Sequence, residues 1–342
     1  MRSRQDDPHR LIITNGDDAV ARMREAGIRG EILPWRDILH EGPVPASLAL
    51  EELSGVRAQF LAKRGWLSEE DLHAAFRSRD AMLRRHGDFE TVVLWFAHEL
   101  CDQLHLIQLL DFFAGENREN VHLIQAGNPP GRQKPKALKG HFHLMEQATE
   151  AHFALAQLAW RAFRAETPER LAALAGSGPH VLPFCDLPVY ALPFLRAGIL
   201  RLLEELPDPA TGLSRTERTI LGLVAEGLKN PSELYAAFAE CDEMLSMGDM
   251  SFYHALDALA GGGAPLIAGF KGLAFSPLMK EEAREAYFAA EVSCTHLGIM
   301  VAAEKADALH HRCFSREIGG LKLDPRKPWR WNAKNRQLCA SQ

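Results

Sequence analysis

At 342 residues, 46% hydrophobic and 25% charged, the chain has an ordinary globular composition and is long enough for two hydrophobic cores, since one core rarely grows past ~250 to 300 residues. A formal net charge of -6 argues against nucleic acid as a partner of the whole chain. The six cysteines, at 101, 185, 241, 294, 313 and 339, contain no C-x-x-C pair, the N-terminus has no apolar leader pattern, and the apolar run 192–206 is broken by Arg196, Arg201, Glu204 and Glu205, so the reading is a protein of the reducing cytoplasm with no membrane role.

In chain order, LIIT at 11–14 predicts a strand, DDAVARMREAG a helix, and GEILPW at 30–35 a second strand. A helical stretch over about 48–87 follows, then the apolar run TVVLWF at 91–96, a helix over 98–114, and NVHLIQ at 120–125. Alternating strands and helices, with strands that read as continuous apolar runs, predict a Rossmann-like parallel sheet over 1–128. In such sheets ligands sit outside the carboxyl ends of the strands, where Asn15, Gly16 and Asp17, Arg36 and Asp37, and His98 and Glu99 fall.

Each strand end has two readings. Gly16 permits a tight turn, and the amides of the helix start could meet an anion positioned by Asp17; equally, Asp17 or Asp18 caps that helix. The complete dinucleotide and P-loop glycine patterns are missing, which disfavours a standard site of either kind. In WRDILHEGPVP at 35–45, the fork of Arg36 suits a phosphate or carboxylate, and Asp37, His40 or Glu41 could move a proton; otherwise Arg36 and Asp37 are a local ion pair. On the helix from 98, His98, Asp102 and His105 share a stripe, so Asp102 would orient the His98 imidazole as a general base or metal ligand, unless this is a solvated first turn. The catalytic candidates are therefore His98, Asp102, Asp37 and His40. Asn15, Gly16, Asp17, Arg36, Glu41, Arg79, Glu99 and Gln103 are the ligand-binding candidates, with no metal set and no cofactor indicated.

Several of these segments carry a family likeness. NGD after the first strand, WRDILHEGPVP after the second, Arg57 in RAQFLAKRGW, Arg79 and Asp80 in AFRSRDAML, and LWFAHELCDQLHLIQLLD together resemble the bacterial domain-of-unknown-function 1835 family over roughly residues 10–125. The later GLSRTERTILGLVAEG, GDMSFYHALDAL, IGGLKL and WRWN are similar to the C-terminal half that accompanies this domain in longer members. The resemblance implies no activity, substrate or catalytic residue. Two departures stand out: the extension MRSRQDDPH, and Glu99-Leu100-Cys101 where relatives often resemble HDLYDQL.

Residues 129–208 read as a loop and connecting helices. The Pro-rich and basic AGNPPGRQKPKALKGHFHLM is a flap over an anion or a solvated surface loop, and His141 and His143 would share one side of a strand, a weak metal signal. Over 209–342 the pattern is mainly helical and winged-helix-like, opening with an S-x-x-E capping box at Ser214 to Glu217. The would-be recognition helix, 248–259, carries Asp249, His254 and Asp257 and no Arg or Lys, so the module reads as a packing or homodimerisation unit. Trp329 and Trp331 in the tail, beside Arg326, Lys327, Arg330 and Arg336, read as docked on the core in preference to stacking bases.

The expectation is thus a cytoplasmic α/β protein that binds a small anionic, nucleotide-like ligand at its strand ends, with Arg36 and Arg79 neutralising charge. Hydrolysis or group transfer is the fitting reaction class if it is an enzyme. The rivals are a ligand-responsive DNA-binding regulator and a protein-interaction scaffold.

Overall fold

The computed structural model describes residues 9–116, 119–176, 189–242, 244, 247–312, 315–324, 326 and 328–339. Cys185, Cys313, Lys327 and most of the N-terminal extension lie outside the described residues. The first half runs β1 (Arg10–Asn15), α1 (Gly16–Glu25), β2 (Glu31–Trp35), β3 (Gly42–Pro43), α2 (Leu50–Lys63), α3 (Glu69–Arg84), β4 (Thr91–Ala97), α4 (Leu100–Ala114), β5 (Val121–Ala126), α5 (Pro135–Leu138), β6 (Glu146–Gln147), α6 (Glu150–Phe163), α7 (Glu169–Leu174) and α8 (Leu195–Leu203). Five strands form one sheet in the order β2-β1-β4-β5-β6, parallel except for β6, which pairs antiparallel with β5. The strand order reverses at β1, so the crevice at the carboxyl ends of β1 and β4 is the topological switch point.

Alternation along each strand builds two apolar layers, because successive side chains point to opposite faces. Leu11, Ile13, Val92, Leu94 and Phe96 pack with α4 and α6 on one face. Ile12, Val93, Trp95 and Ile124 pack with Val20 and Met23 of α1 and with Leu138 and Phe142 on the other. The basic segment therefore packs on the sheet, and His141 and His143 do not lie on the predicted strand. Leu138 is fully buried, Phe142 is 3% exposed, and His141 lies in a 3-10 turn (Lys139–Leu144) stacked on Trp95 at 5.8 Å. Among the described residues, no group of His, Cys, Asp and Glu is placed to hold a metal ion.

Helix α4 is enclosed by the sheet, α6 and α8, so its polar residues Asp102, Gln103, His105 and Gln108 are buried along with its leucines. Such a helix is buried on all sides, which rules out the solvated first turn. It also starts at Leu100, leaving His98 ahead of it.

A second core spans Leu213 to Ala308. It contains α9 (Arg215–Ala225), α10 (Pro231–Cys241), α11 (Asp249–Ala260), β7 (Ile267–Ala268), α12 (Glu281–Phe288), β8 (Ser293–Cys294) and α13 (His296–Ala302), with β7 and β8 in an antiparallel ladder. The capping box forms as its residues predict: Ser214 Oγ accepts from the Glu217 N–H at 3.2 Å, and the Ser214 N–H donates to Glu217 Oε2 at 2.9 Å.

The chain then returns to the first core through β9 (Arg316–Gly319), β10 (Leu321–Leu323), β11 (Arg330–Asn332) and β12 (Gln337–Cys339). β9 pairs parallel with β3, and Ile318, Leu321, Leu323 and Trp331 join the first apolar cluster. Trp331 is 2% exposed, so its indole is docked. Among the described residues, one apolar cluster thus joins sheet residues to Ile318, Leu321, Leu323 and Trp331 of the tail, and a second lies within 213–308. Among the described residues, no helix is long and apolar enough to cross a membrane.

Candidate functional site

At the switch point, Gly16 takes a left-handed φ of 74° and turns the chain from β1 straight into α1. Asn15 occupies the N-cap position of α1, in place of the predicted Asp17 or Asp18, and its side chain caps nothing there. Instead Asn15 Nδ2 donates to Asp102 Oδ1 at 2.6 Å, while the Ala97 N–H donates to Asp102 Oδ2. Gln103 Nε2 donates to the Ala97 carbonyl at 2.6 Å. Burial pushes the Asp102 carboxyl up to about 6, against the pull of the Ala97 and Asn15 donors. Both Asp102 oxygens are thus engaged away from His98, whose ring meets the edge of Phe194 at 6.2 Å, so the predicted Asp102–His98 hydrogen bond does not form. Glu99 is 2% exposed and pairs with Arg132 of the basic segment at 3.2 Å.

The loop after β2 divides its neighbours sharply. Arg36 lies on the surface in a bidentate pair with Asp17, which raises the guanidinium and lowers the carboxylate. Asp37, next in sequence, is buried and gripped by Arg57, whose Nη2 donates at 2.7 Å. Burial would raise Asp37, but the charge and hydrogen bonds of Arg57, together with the charges of Arg79 and His105, outweigh it and hold the carboxylate down. Arg57 also donates to the carbonyls of Glu41 and Ile38, so this ion pair shapes the loop. Arg79 is 5% exposed, pairs with Asp80 at 2.8 Å and lies 3.9 Å over the Trp35 ring. That places Arg79 and Asp37 in the scaffold, away from the charge-neutralising and catalytic roles predicted for them. His105 reaches the Asp37 carbonyl at 3.1 Å, and burial pushes it down to about 4.

His40 and Glu41, later in the same loop, reach a different environment. They line a cavity of about 580 Å3 between the two cores, together with Arg64, His254, Arg312 and Arg316. Gly42 follows with a φ of 78°, and a Cβ there would sit 2.6 Å from the Phe60 ring. Cys101, in the first turn of α4, places Sγ 3.2 Å from His40 Nδ1. His40 Nε2 faces Glu41 Oε1 at 3.5 Å, and Arg64 holds the second Glu41 oxygen at 3.1 Å. Burial opposes charge on His40, yet Cys101 and Glu41 outweigh it and push the imidazole up to about 10. Burial also opposes charge on Glu41, but His40 and Arg64 hold its carboxyl down to about 2.

No protein-family model matches this chain, and no curated protein matches it either. Function must be read from the site itself.

Of the sequence candidates, Asn15, Asp102 and Gln103 meet at the switch point, His40 and Glu41 meet at the cavity, and Asp17 and Arg36 meet on the rim. Arg64, Arg312, Arg316 and Cys101 were not among the candidates. Arg64 and Arg312 lie at irregular chain positions with no periodic signal, and Cys101 is 61 positions from the imidazole it touches.

Proposed function

We propose that the chain binds a small anionic, nucleotide-like ligand in the cavity between its two cores and acts on it by hydrolysis or group transfer. The observation that carries the reading is an uneven pairing of charge. Glu41 is met by Arg64, Glu205 by Arg201, and Glu217 by Arg316 at 2.6 Å. Arg312, on the same wall, donates through Nη2 to the Ala258 carbonyl but has no carboxylate at ion-pair distance among the described residues, and burial lowers its hold on the proton against the charge of Glu217. A half-buried guanidinium of this kind favours an anion. The volume falls in the range of small-molecule sites, ~300 to 1,000 Å3. His40, charged at neutral pH and set in the wall, is the group placed to give a proton to a leaving atom. The ligand moves from the Asp17–Arg36 rim to this cavity, because Arg36 is already satisfied by Asp17 on the surface.

We read α9, α10 and α11 with the β7–β8 ladder as a winged-helix-like packing module. Ser251 and His254 of α11 line the cavity, and His254 Nε2 lies 2.8 Å from the Arg64 carbonyl. These contacts of α11 with the α/β core support packing in preference to DNA reading. A reducing cytoplasm suits the free thiols of Cys101, Cys241, Cys294 and Cys339.

The test is thermal unfolding against inorganic phosphate, nucleotides and phosphorylated sugars. A ligand at 100 times its Kd adds ~2.7 kcal/mol of stability. Stabilisation that disappears in Arg312→Ala supports the reading. Stabilisation undiminished in that variant, or affinity for duplex DNA that falls steeply with salt, would replace it with the rim site or with the regulator.

A further inference from the structure

We infer that Cys101, His40 and Glu41 form a nucleophile, base and orienting carboxylate, and that the reaction in the cavity is acyl transfer through a thioester on Cys101. This rests on the cavity being the ligand site and names its chemistry. Three groups from two segments meet in the order such a mechanism needs: Cys101 Sγ lies 3.2 Å from His40 Nδ1, and His40 Nε2 lies 3.5 Å from Glu41 Oε1. Nδ1 thus contacts the thiol, while Nε2 faces the carboxylate at ion-pair distance without a hydrogen bond to it. Glu41 is anchored in turn by Arg64.

Cys101 is 5% exposed and His40 4%, yet His40 and Glu41 reach the cavity wall. A structural buried cysteine usually packs against carbon, whereas this sulfur sits against a ring nitrogen in the first turn of a helix, where the dipole favours negative charge. The titratable groups facing His40 are Cys101 and His105 from α4 and Glu41 from its own loop; burial keeps His105 neutral at pH 7, and Arg64 from the end of α2 holds the second oxygen of Glu41.

The chemistry balances without a co-reactant other than water. The Cys101 thiolate attacks the acyl carbon and forms the S–C bond. The bond to the leaving group breaks as the His40 imidazolium gives that group its proton. Neutral His40 then takes a proton from water, the hydroxide attacks the thioester carbon, and the S–C bond breaks to restore thiolate and imidazolium. An anionic group elsewhere on the acyl substrate would be held by Arg312.

Para-nitrophenyl acetate is a substrate small enough to test this without knowing the natural one. The full-length protein should release a burst of about one equivalent of nitrophenolate, with the acetyl group mapped by mass spectrometry to Cys101. His40→Gln should slow acetylation ~100-fold, and Glu41→Gln should slow it less, both at unchanged unfolding temperature. Iodoacetamide adds a second readout: His40→Gln should slow alkylation of Cys101 about tenfold and leave that of exposed Cys241 unchanged. Acetylation of Cys241 alone in the folded protein, or Cys101 alkylation as fast in His40→Gln as in the unsubstituted protein, would overturn the triad. Phosphate stabilisation through Arg312 would then stand on its own, so the two failures are distinguishable.

Discussion

Asn15 Nδ2 donates to Asp102 Oδ1 at 2.6 Å across 87 positions of sequence, joining the end of β1 to the first turn of α4. A residue type that commonly caps helices is here spent on a distant carboxyl. In Asn15→Ala one buried carboxyl oxygen loses its donor, which should cost about 1 to 3 kcal/mol in urea denaturation. A cost below about 0.5 kcal/mol would mean that the contact contributes only surface-level stability.

Asp102 should also leave a signature in the pH dependence. Its folded value of about 6 lies above the ordinary 3.8, so the folded chain holds this proton more tightly than the unfolded chain. That contribution is complete below pH ~4 and is lost as pH rises through about 6. The unfolding free energy of Asp102→Asn should therefore fall less between those values than that of the unsubstituted protein. Parallel curves would show that Asp102 does not titrate there.

Adjacent Arg36 and Asp37 should respond very differently to loss of their partners. Arg57→Ala leaves Asp37 buried and unpaired and should cost about 3 to 5 kcal/mol. Arg36→Ala breaks a surface pair with Asp17 and should cost no more than about 1 kcal/mol. Chemical denaturation of both variants checks this, and equal costs would contradict the burial difference.

Gly42 should tolerate no side chain. Gly42→Ala combines a φ of 78° with a Cβ 2.6 Å from the Phe60 ring, so a loss of about 1 to 3 kcal/mol is expected. Because both residues line the cavity, phosphate stabilisation should weaken as well. Full stability with an unshifted ligand response would show that the loop adapts.

The parallel sheet was legible because Val92 to Phe96 is an apolar run too short for a helix, and the start of α9 was legible because Ser214 and Glu217 have capping spacing. Strands of two residues, such as Gly42–Pro43 and Glu146–Gln147, carry no period and left no trace in the pattern. The return of Ile318, Leu321 and Trp331 to the first core was equally hidden, since periodicity shows which face is apolar and not which core it joins. At the site, His40 and Glu41 were identified from a Gly- and Pro-bounded loop after a strand. Arg79 was misread because a charged residue near a predicted site suggests a ligand, while its stacking on Trp35 exists only in three dimensions.

The pairing of β3 with β9 sets a timetable for making this protein. Gly42 meets Ile318, and Val44 donates to the Gly319 carbonyl at 2.6 Å, so an early segment emerging from the ribosome must wait for almost all the rest. At ~5 to 20 residues per second that wait lasts roughly 15 to 60 s. For that interval the His40–Glu41 loop lacks its neighbouring strand, and the cavity wall made by Arg316 and Ile318 does not exist. The cavity is therefore among the last features a nascent chain acquires, and a truncated product lacking the tail would keep the β1, β2, β4 and β5 strands yet lack that wall, and with it the binding proposed there.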